Sequence, residues 1–250
     1  MVFEQIRQFR DLTLVPLCHD ELLVIACDSL GGIGSKPHDL LKVSAEIVGQ
    51  YTVRGPLMEV LAAGARPMAV INTLGVEMMP TGASIVQGIK RELVLSGLTA
   101  EILVTGSTEE NVKTCQTALG ITVLGKASRS ELRLGKSFAG DVVACLGKPL
   151  VGEEVLLGTP ADTQLLFELL ALPWLHEILP VGSKGIGHEA RALAAGAGLT
   201  LALALDLKLD LEKSAGPSTC LLVTLAEEHL SALQAICSLP VIKLGSLSER

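Results

Sequence analysis

Three glycines and a lysine follow an acidic residue in the stretch Asp28-Ser-Leu-Gly31-Gly32-Ile-Gly34-Ser35-Lys36-Pro37-His38-Asp39. The apolar run before it, residues 22–28, predicts a strand that ends at this turn, and Asp39 is predicted to begin a helix. Glycines admit positive φ angles and let backbone amides approach an oxyanion closely, while Lys36 adds a positive charge. The spacing matches neither the P-loop nor the dinucleotide fingerprint, so neither of those mechanisms is inferred.

We interpret this turn as a phosphate-binding segment, with a plain flexible loop as the alternative. Asp28 at its edge is a candidate ligand for Mg²⁺, which proteins hold through few carboxylates together with phosphate oxygens. The candidate nucleotide-binding residues of the turn are Gly31, Gly32, Gly34, Ser35 and Lys36.

A second candidate segment is Val104-Thr105-Gly106-Ser107-Thr108-Glu109-Glu110-Asn111, at the end of an apolar run. Small hydroxyl residues around a glycine, followed by two carboxylates, can bind phosphate oxygens and a cation together. The alternative is a helix start, in which Ser107 or Thr108 is the N-cap and the glutamates favour the positive end of the helix dipole.

Two further segments each have a structural alternative. Residues 55–67 predict a helix with Glu59 in its first turn, where an acidic side chain is ordinarily explained by the helix dipole. Residues 182–189 are rich in glycine and lead into an alanine-rich helix, which predicts either an anion site at a helix N-terminus or a simple capped turn.

Apolar runs alternate with helical patterns along the chain. Strands are predicted at 12–16, 22–28, 68–74, 101–104, 121–124, 141–146, 199–205, 219–224 and 241–244. Helices are predicted at 39–50, 56–65, 81–96, 161–170 and 186–195. The polar stretch 126–136 is predicted to separate two lobes, residues 1–130 and 131–250, so the expected fold class is α+β.

The composition narrows the classes of partner. Of 250 residues, 49% are hydrophobic and 19% charged, which is typical of a globular core-forming chain. The net charge of −7 argues against nucleic-acid binding, and the aromatic content of 2% leaves few rings for base stacking. Charges interrupt every apolar stretch, so no membrane span is expected. Six scattered cysteines without a C-x-x-C pair favour free thiols in the cytoplasm.

The order of these segments resembles the superfamily of aminoimidazole ribonucleotide synthetase, thiamine-monophosphate kinase, selenophosphate synthetase and the hydrogenase-maturation dehydratase. The most specific match is Leu61-Ala-Ala-Gly-Ala-Arg-Pro67, and residues 183–198 resemble the family's second-lobe turn and helix. The Thr-Gly-Ser-Thr-Glu-Glu-Asn segment and the short second lobe resemble the branch of α-ribazole kinases of cobalamin salvage.

The resemblance implies a two-lobed α+β fold whose N-terminal lobes pair through their sheets into a homodimer, with ATP and Mg²⁺ at that interface. It implies that Asp28 and Glu59 bind metal, that residues 31–36 bind phosphate, and that residues 105–108 stand on the family's Gly-Gly-Asp/Glu-Thr motif. Asp28 and Lys36 are the implied catalytic residues. Ser107 and Lys184 stand where the family has acids, and Glu59 replaces an aspartate; Glu109 or Glu110 is the candidate substitute ligand.

The predicted function is therefore an ATP-dependent kinase that phosphorylates a hydroxyl of a nucleoside-like small molecule, with α-ribazole as the favoured acceptor. Two alternatives stay open. One is a ligase or cyclase of the aminoimidazole ribonucleotide synthetase type, and the other is a nucleotide-binding protein without catalysis.

Overall fold

A computed structural model describes residues 6–98 and 102–250, and these form two compact units. The first unit contains the described residues up to Leu61 and those from Ala65 to Glu131; the second contains Ala62–Gly64 and Leu132–Arg250. Among the described residues, no helix combines the length and the apolar character that crossing a lipid bilayer requires.

The strands of the first unit, in chain order, are β1 (Arg7–Phe9), β2 (Leu12–Pro16), β3 (Glu21–Gly31), β4 (Ile33–Gly34), β5 (Leu41–Lys42), β6 (Arg66–Leu74), β7 (Leu103–Thr108) and β8 (Ala118–Ser128). Six of them form one sheet with the order β1-β2-β3-β8-β6-β7 over the described residues, and β4 pairs with β5 separately. β6 and β7 are parallel, and β8 is antiparallel to both β3 and β6. Consequently β3, β6 and β7 all end at the same edge of the sheet.

The two faces of this sheet differ in burial. Alternate residues of β3 and β8 are buried on the face that is covered by helix α1 (Ala45–Ala62), where Val60 lies 2.4 Å from the position that a Cβ of Gly125 would occupy. The opposite face carries side chains of intermediate or full exposure, many of them apolar. The large apolar side chains on this face in β3, β6, β7 and β8 include Leu23, Ile25, Ile71, Leu103 and Leu124.

Helix α1 corrects one prediction. Residues 39–50 and 56–65 were expected to form two helices, but a single helix runs through Pro56. Proline removes one backbone donor and disfavours a helical conformation in the residue before it. Every residue from Thr52 to Met58 is buried, and this burial outweighs the local cost of the proline.

Helix α2 (Ala83–Leu95) crosses α1 at two glycines. A Cβ at Gly49 would lie 2.0 Å from the Ile85 carbonyl oxygen, and one at Gly88 would lie 1.9 Å from that of Glu46. Near this crossing the guanidinium of Arg54 donates two hydrogen bonds to the buried carboxylate of Glu92, at 2.7 and 2.9 Å. Small residues and a fully paired ion pair thus allow the two helices to pack closely.

The second unit, all of whose residues are described, is an antiparallel sheet with helices. Its strands are β9 (Val142–Gly147), β10 (Leu175–Pro180), β11 (Thr200–Leu203), β12 (Cys220–Leu225) and β13 (Val241–Ser248), in the order β10-β12-β9-β13-β11. Its helices are α3 (Glu153–Leu157), α4 (Thr163–Leu170), α5 (Ile186–Gly196) and α6 (Leu230–Ile236). Every residue of β9 and β12 is buried, as expected for central strands.

The α+β class is confirmed, whereas several local predictions need correction. β10 was not predicted, and the predicted linker 126–136 begins inside β8, which continues to Ser128. Asp39 does not begin a helix, because α1 starts six residues later. Glu101, in the predicted strand 101–104, lies outside the described residues.

Candidate functional site

Asp28 lies near the end of β3, at the sheet edge where β3, β6 and β7 terminate. In the register of the sheet it is opposite Ile121, which is opposite Asn72, which is opposite Gly106. The side chain retains solvent access, and one carboxylate oxygen accepts a hydrogen bond from the Ser29 amide at 2.8 Å. Partial burial nevertheless raises the pKa of Asp28, and the Ser29 hydrogen bond opposes that rise.

The glycine turn after β3 is held by a buried carboxylate. Asp39 is 5% exposed and accepts hydrogen bonds from the Lys36 amide at 2.8 Å, the Thr117 amide at 2.7 Å and the Thr117 hydroxyl at 2.7 Å. Burial alone would raise its pKa, but the hydrogen bonds from Thr117 and Lys36 outweigh burial and lower it. Asp39 is therefore an ionised anchor for the turn.

Gly34 lacks a side chain because the Asp39–Thr117 pair occupies that space. A Cβ at Gly34 would lie 2.4 Å from the Thr117 hydroxyl oxygen and 2.8 Å from an Asp39 carboxylate oxygen. The Gly32 amide donates to the Thr117 carbonyl at 2.9 Å, and the Lys36 amide is taken by Asp39. Hydrogen bonds thus hold the turn against residues 115–117, which argues against a plain flexible loop. The amides of Gly32 and Lys36 already have protein acceptors, so they are not available to bind a phosphate.

Lys36 contacts a residue that the sequence did not single out. Its ammonium group donates to Oε2 of Glu77, and the Thr81 hydroxyl donates to Oε1 of the same carboxylate at 2.5 Å. The side chains of Lys36 and Glu77 are 12% and 30% exposed. The hydrogen bonds from Lys36 and Thr81 lower the pKa of Glu77 to about 2, so this carboxylate is ionised at neutral pH.

Residues Thr105 to Thr108 lie inside β7, so the helix-start interpretation of this segment is wrong. Thr105 and Ser107 pair with Ile71 and Thr73 on the open face of the sheet. Gly106 and Thr108 belong to the other face, the one that Asp28 shares. Close packing explains why a glycine occupies position 106, because a Cβ there would lie 1.9 Å from the carbonyl oxygen of Asn72. The side-chain amide of Asn72 donates a hydrogen bond to the Thr105 carbonyl at 2.8 Å.

The two glutamates after β7 have different partners. Glu110 Oε1 accepts hydrogen bonds from the Met78 amide at 2.7 Å and from the Thr108 hydroxyl at 2.9 Å. Glu109 instead accepts from the amides of Asn111 and Val112, at 2.7 and 3.0 Å, and thereby closes its own turn. Both amides donate to Oε1, so they engage one of the two oxygens of the carboxylate that was predicted to bind metal.

Three loops meet through these contacts at one edge of the sheet: the glycine turn after β3, the segment from Glu77 to Gly82 after β6, and the turn after β7. The middle loop connects the outer two, because Glu77 binds Lys36 while the Met78 amide binds Glu110. The arrangement is a polar, partly buried edge that contains the ammonium groups of Lys36 and Lys42, several hydroxyls and several carboxylates. Ammonium groups and hydroxyls are donors that can bind phosphate oxygens.

The predicted metal ligands are not gathered into one cluster. Asp28 lies on β3, Glu59 on α1 and Glu109 in the turn after β7. Within the described residues no group of three or more His, Cys, Asp or Glu side chains is arranged to hold a metal ion. Mg²⁺ on a nucleotide needs only one or two protein carboxylates, so Asp28, which retains solvent access at the strand end, fits such a role. Glu109 has one carboxylate oxygen engaged in its own turn and stays a predicted ligand.

The glycine-rich segment of the second unit leads into α5. The Gly187 amide donates to the Leu211 carbonyl at 2.8 Å, and a Cβ at Gly185 would lie 2.7 Å from the same oxygen. Gly185 adopts a φ of 83°, which favours glycine. A carbonyl of the protein therefore occupies this helix start, which supports the capped-turn interpretation over an anion site.

Sequence patterns missed Asp39, Glu77, Thr81 and Thr117 as members of the site, whereas Glu110 was named as an alternative to Glu109. A usable signal existed for Glu77, because it follows a predicted strand closely, as Asp28 and Thr108 do. Polar residues that follow parallel strands collect at one edge of a sheet, but this requires knowing that β3, β6 and β7 run in the same direction. Thr117 carried no signal of this kind.

Residues 10–127 match the family described as AIR synthase related protein, N-terminal domain. A comparison with curated proteins found no match. Solved structures of the same fold include thiamine-monophosphate kinase from Stenotrophomonas maltophilia K279a, with 19% identity, a TM-score of 0.66 and coverage of 96% of this chain and 87% of that chain. AaThiL complexed with AMPPCP and TMP has 18% identity, a TM-score of 0.62 and coverage of 96% and 85%. Hydrogenase maturation protein HypE in complex with ATP has 16% identity, a TM-score of 0.63 and coverage of 94% and 79%.

The fold and the sheet edge define a two-unit α+β protein in which three loops form one polar site. At these identities the structural likeness concerns the fold, while the family model matches the sequence of the first unit itself. Residues 10–127 match the AIR-synthase-related N-terminal domain, and the chain shares its fold with these solved structures, so the resemblance predicted from the sequence is confirmed.

Proposed function

We propose that this chain is an ATP-dependent phosphotransferase that phosphorylates a hydroxyl group of a nucleoside-like small molecule. The observation that carries the proposal is the meeting of three loops, with Lys36, Thr108 and Asp28, at one edge of the β3-β6-β7 sheet. Two proteins of the same fold support the choice of ATP as the phosphoryl donor, since AaThiL is complexed with AMPPCP and HypE with ATP. α-Ribazole is the proposed acceptor, because the segment at residues 105–111 and the short second unit resemble those of the α-ribazole kinases.

In the proposed reaction the acceptor hydroxyl oxygen forms a bond to the γ-phosphorus of ATP. The bond from that phosphorus to the bridging oxygen breaks, ADP leaves with the electron pair, and the hydroxyl proton is released. Positioning and charge stabilisation supply most of the rate acceleration in such transfers, so no covalent nucleophile is required. Mg²⁺, when bound with the nucleotide, would neutralise part of the phosphate charge.

The residues of this chain have distinct proposed roles. The amides of Gly31, Gly34 and Ser35 approach the phosphates, with Gly32 shaping the turn between them. Lys36 supplies the positive charge near the transferred group, and Thr108 contributes a hydroxyl on the sheet face that Asp28 shares. Thr105 and Ser107, on the open face, are proposed nucleotide-binding residues from the family resemblance alone. Asp28 holds the cation or orients the acceptor hydroxyl, because it stands at the strand end beside the turn. Glu59 remains a proposed metal ligand, as the family resemblance implies.

The test is incubation of the protein with Mg-ATP and a panel of nucleosides that includes α-ribazole, followed by mass spectrometry. A phosphorylated nucleoside supports the proposal. Free phosphate with an unphosphorylated acceptor indicates a ligase or cyclase instead, and nucleotide binding without any product across the panel indicates a non-catalytic protein. Either of these two results would overturn the kinase assignment.

Asp28→Asn tests the site itself, since it removes the charge and keeps the size. We expect loss of turnover of about 100-fold or more, the scale for removing a group that stabilises charge in the transition state. Asp20→Asn is the matched control, because Asp20 is exposed just before the start of the same strand and its carboxylate lies 4.0 Å from the Arg129 guanidinium. Equal turnover in the two variants would remove Asp28 from the site.

We also propose that the chain forms a homodimer through the open face of the first unit's sheet. That face carries Ile25, Ile71 and Leu124 at intermediate exposure, an apolar surface that a second sheet would cover. Ile25→Glu is expected to produce a monomer in analytical ultracentrifugation. Leu205→Glu, at a side chain 99% exposed in the second unit, is the control that should leave the mass unchanged.

A cytoplasmic location is part of the proposal and agrees with six free cysteines.

A further inference from the structure

Both oxygens of the Glu77 carboxylate are engaged at the sheet edge. Oε2 accepts from the Lys36 ammonium group, and Oε1 accepts from the Thr81 hydroxyl at 2.5 Å. The depressed pKa of Glu77, about 2, follows from these two hydrogen bonds and means that the carboxylate is charged when the enzyme works. Lys36 is therefore neutralised by a protein carboxylate before any phosphate arrives.

The backbone holds Glu77 in place. Its carbonyl accepts a hydrogen bond from the Gly82 amide at 2.9 Å, which closes the turn that leads into α2. The next residue, Met78, donates its amide to Glu110 at 2.7 Å. Glu77 is thus fixed to the turn after β7 on one side and to α2 on the other, so the position of its carboxylate determines the position of the Lys36 ammonium group.

A purely structural role explains this pair poorly. Ion pairs with partial solvent access contribute little to stability, because solvent screens them and two side chains are ordered. The pair instead occupies the point where the glycine turn meets the loop after β6. A lysine that is free in solution binds phosphate as a mobile point charge, whereas one that is tied to a fixed carboxylate presents its remaining N–H groups in a fixed direction.

We propose that Glu77 is a positioning residue for Lys36. It orients the ammonium group toward the transferred phosphoryl group, and its negative charge weakens the attraction of Lys36 for the phosphates of bound nucleotide. The inference rests on the proposed function of Lys36 in binding phosphate. Weaker binding of the ground state combined with a correctly placed charge raises kcat, because only interactions that strengthen in the transition state accelerate the reaction.

Glu77→Gln separates positioning from a structural role. The amide oxygen still accepts from Thr81, but the charge that holds and offsets Lys36 is gone. We expect a nonhydrolysable ATP analogue to bind about fivefold more tightly and kcat to fall about tenfold, opposite effects that a general loss of stability does not produce. Thr81→Val, which frees one carboxylate oxygen, should lower kcat less and leave the affinity for the analogue near the wild-type value.

The matched control is Glu21→Gln, because Lys126 and Glu21 form a 2.5 Å ion pair at the opposite end of β3, with side chains 42% and 41% exposed. This variant should match the wild type in analogue affinity and in kcat. Calorimetric titration with the analogue and steady-state kinetics measure the two quantities.

The outcomes separate this inference from the proposed function. If the wild-type protein does not bind the analogue, or if Lys36→Met binds it as well as wild type, the proposed role of Lys36 fails. If wild type binds, Lys36→Met does not, and Glu77→Gln matches wild type in both affinity and kcat, the positioning role is wrong. Should Glu77→Gln not fold, Thr81→Val with unchanged kcat refutes the inference in its place.

Discussion

Replacing Asp39 with alanine removes the carboxylate that joins the glycine turn to residues 115–117. Three donors lose their acceptor: the amides of Lys36 and Thr117, and the Thr117 hydroxyl. Asp39 is 5% exposed and Thr117 is fully buried, so water reaches these donors poorly. The turn then has no acceptor at its centre.

The expected cost follows from these contacts. A hydrogen bond to a charged group contributes about 1.5–3 kcal/mol, and a buried donor that is left unpaired costs about 1–3 kcal/mol. The three bonds share one carboxylate and are not additive, so we expect the free energy of unfolding to fall by about 3 kcal/mol. With a urea dependence of about 1–3 kcal/mol per molar, the unfolding midpoint should move down by about 1–3 M.

Urea denaturation followed by circular dichroism measures this change, and pH gives an independent check. The pKa of Asp39 is lowered in the folded protein, so its stabilising contribution is present at neutral pH and is lost as the pH falls through the folded pKa. The difference between wild type and Asp39→Ala should therefore persist from pH 7 down to the ordinary pKa of an aspartate, about 3.9, and shrink as the pH falls below it.

Asp39→Asn sharpens the test. It keeps one acceptor oxygen and places an NH₂ group against a donor, so its cost should lie between those of wild type and Asp39→Ala. Unfolding of Asp39→Ala at the wild-type urea concentration, or a stability difference that does not change with pH, would refute the reasoning.

Three further predictions concern packing and can be measured by the same denaturation assay. Gly106→Ala should destabilise by more than about 2 kcal/mol, because its Cβ would lie 1.9 Å from the Asn72 carbonyl oxygen; a wild-type midpoint would contradict the observed strand spacing. Gly88→Ala should do the same at the helix crossing, and Gly31→Ala, with no atom within 4 Å of its Cβ and no positive φ, is the control for side-chain addition in this assay. Glu92→Ala should cost about 3–5 kcal/mol, because it leaves the buried charge of Arg54 without this carboxylate; a cost below about 1 kcal/mol would show that water replaces it.

Local patterns in the sequence were sufficient for much of the fold. Short apolar runs identified β3, β6 and β8, and the helical spacing of Ile85, Ile89 and Leu93 identified α2, because burial imposes these patterns directly on the chain. The order of the motifs was sufficient to predict the family that residues 10–127 match. Proline misled the prediction at α1, since a single-residue penalty was weighed without the burial that opposes it.

The partners of the site residues depended on tertiary structure. Lys36 and Glu77 are 41 positions apart, and Asp39 and Thr117 are 78 apart. No local period links such residues; they meet because the sheet order places the ends of β3, β6 and β7 at one edge. The sequence thus specified which residues carry charge and where each strand stops, and the pairing of strands from distant parts of the chain decided which charges neutralise one another.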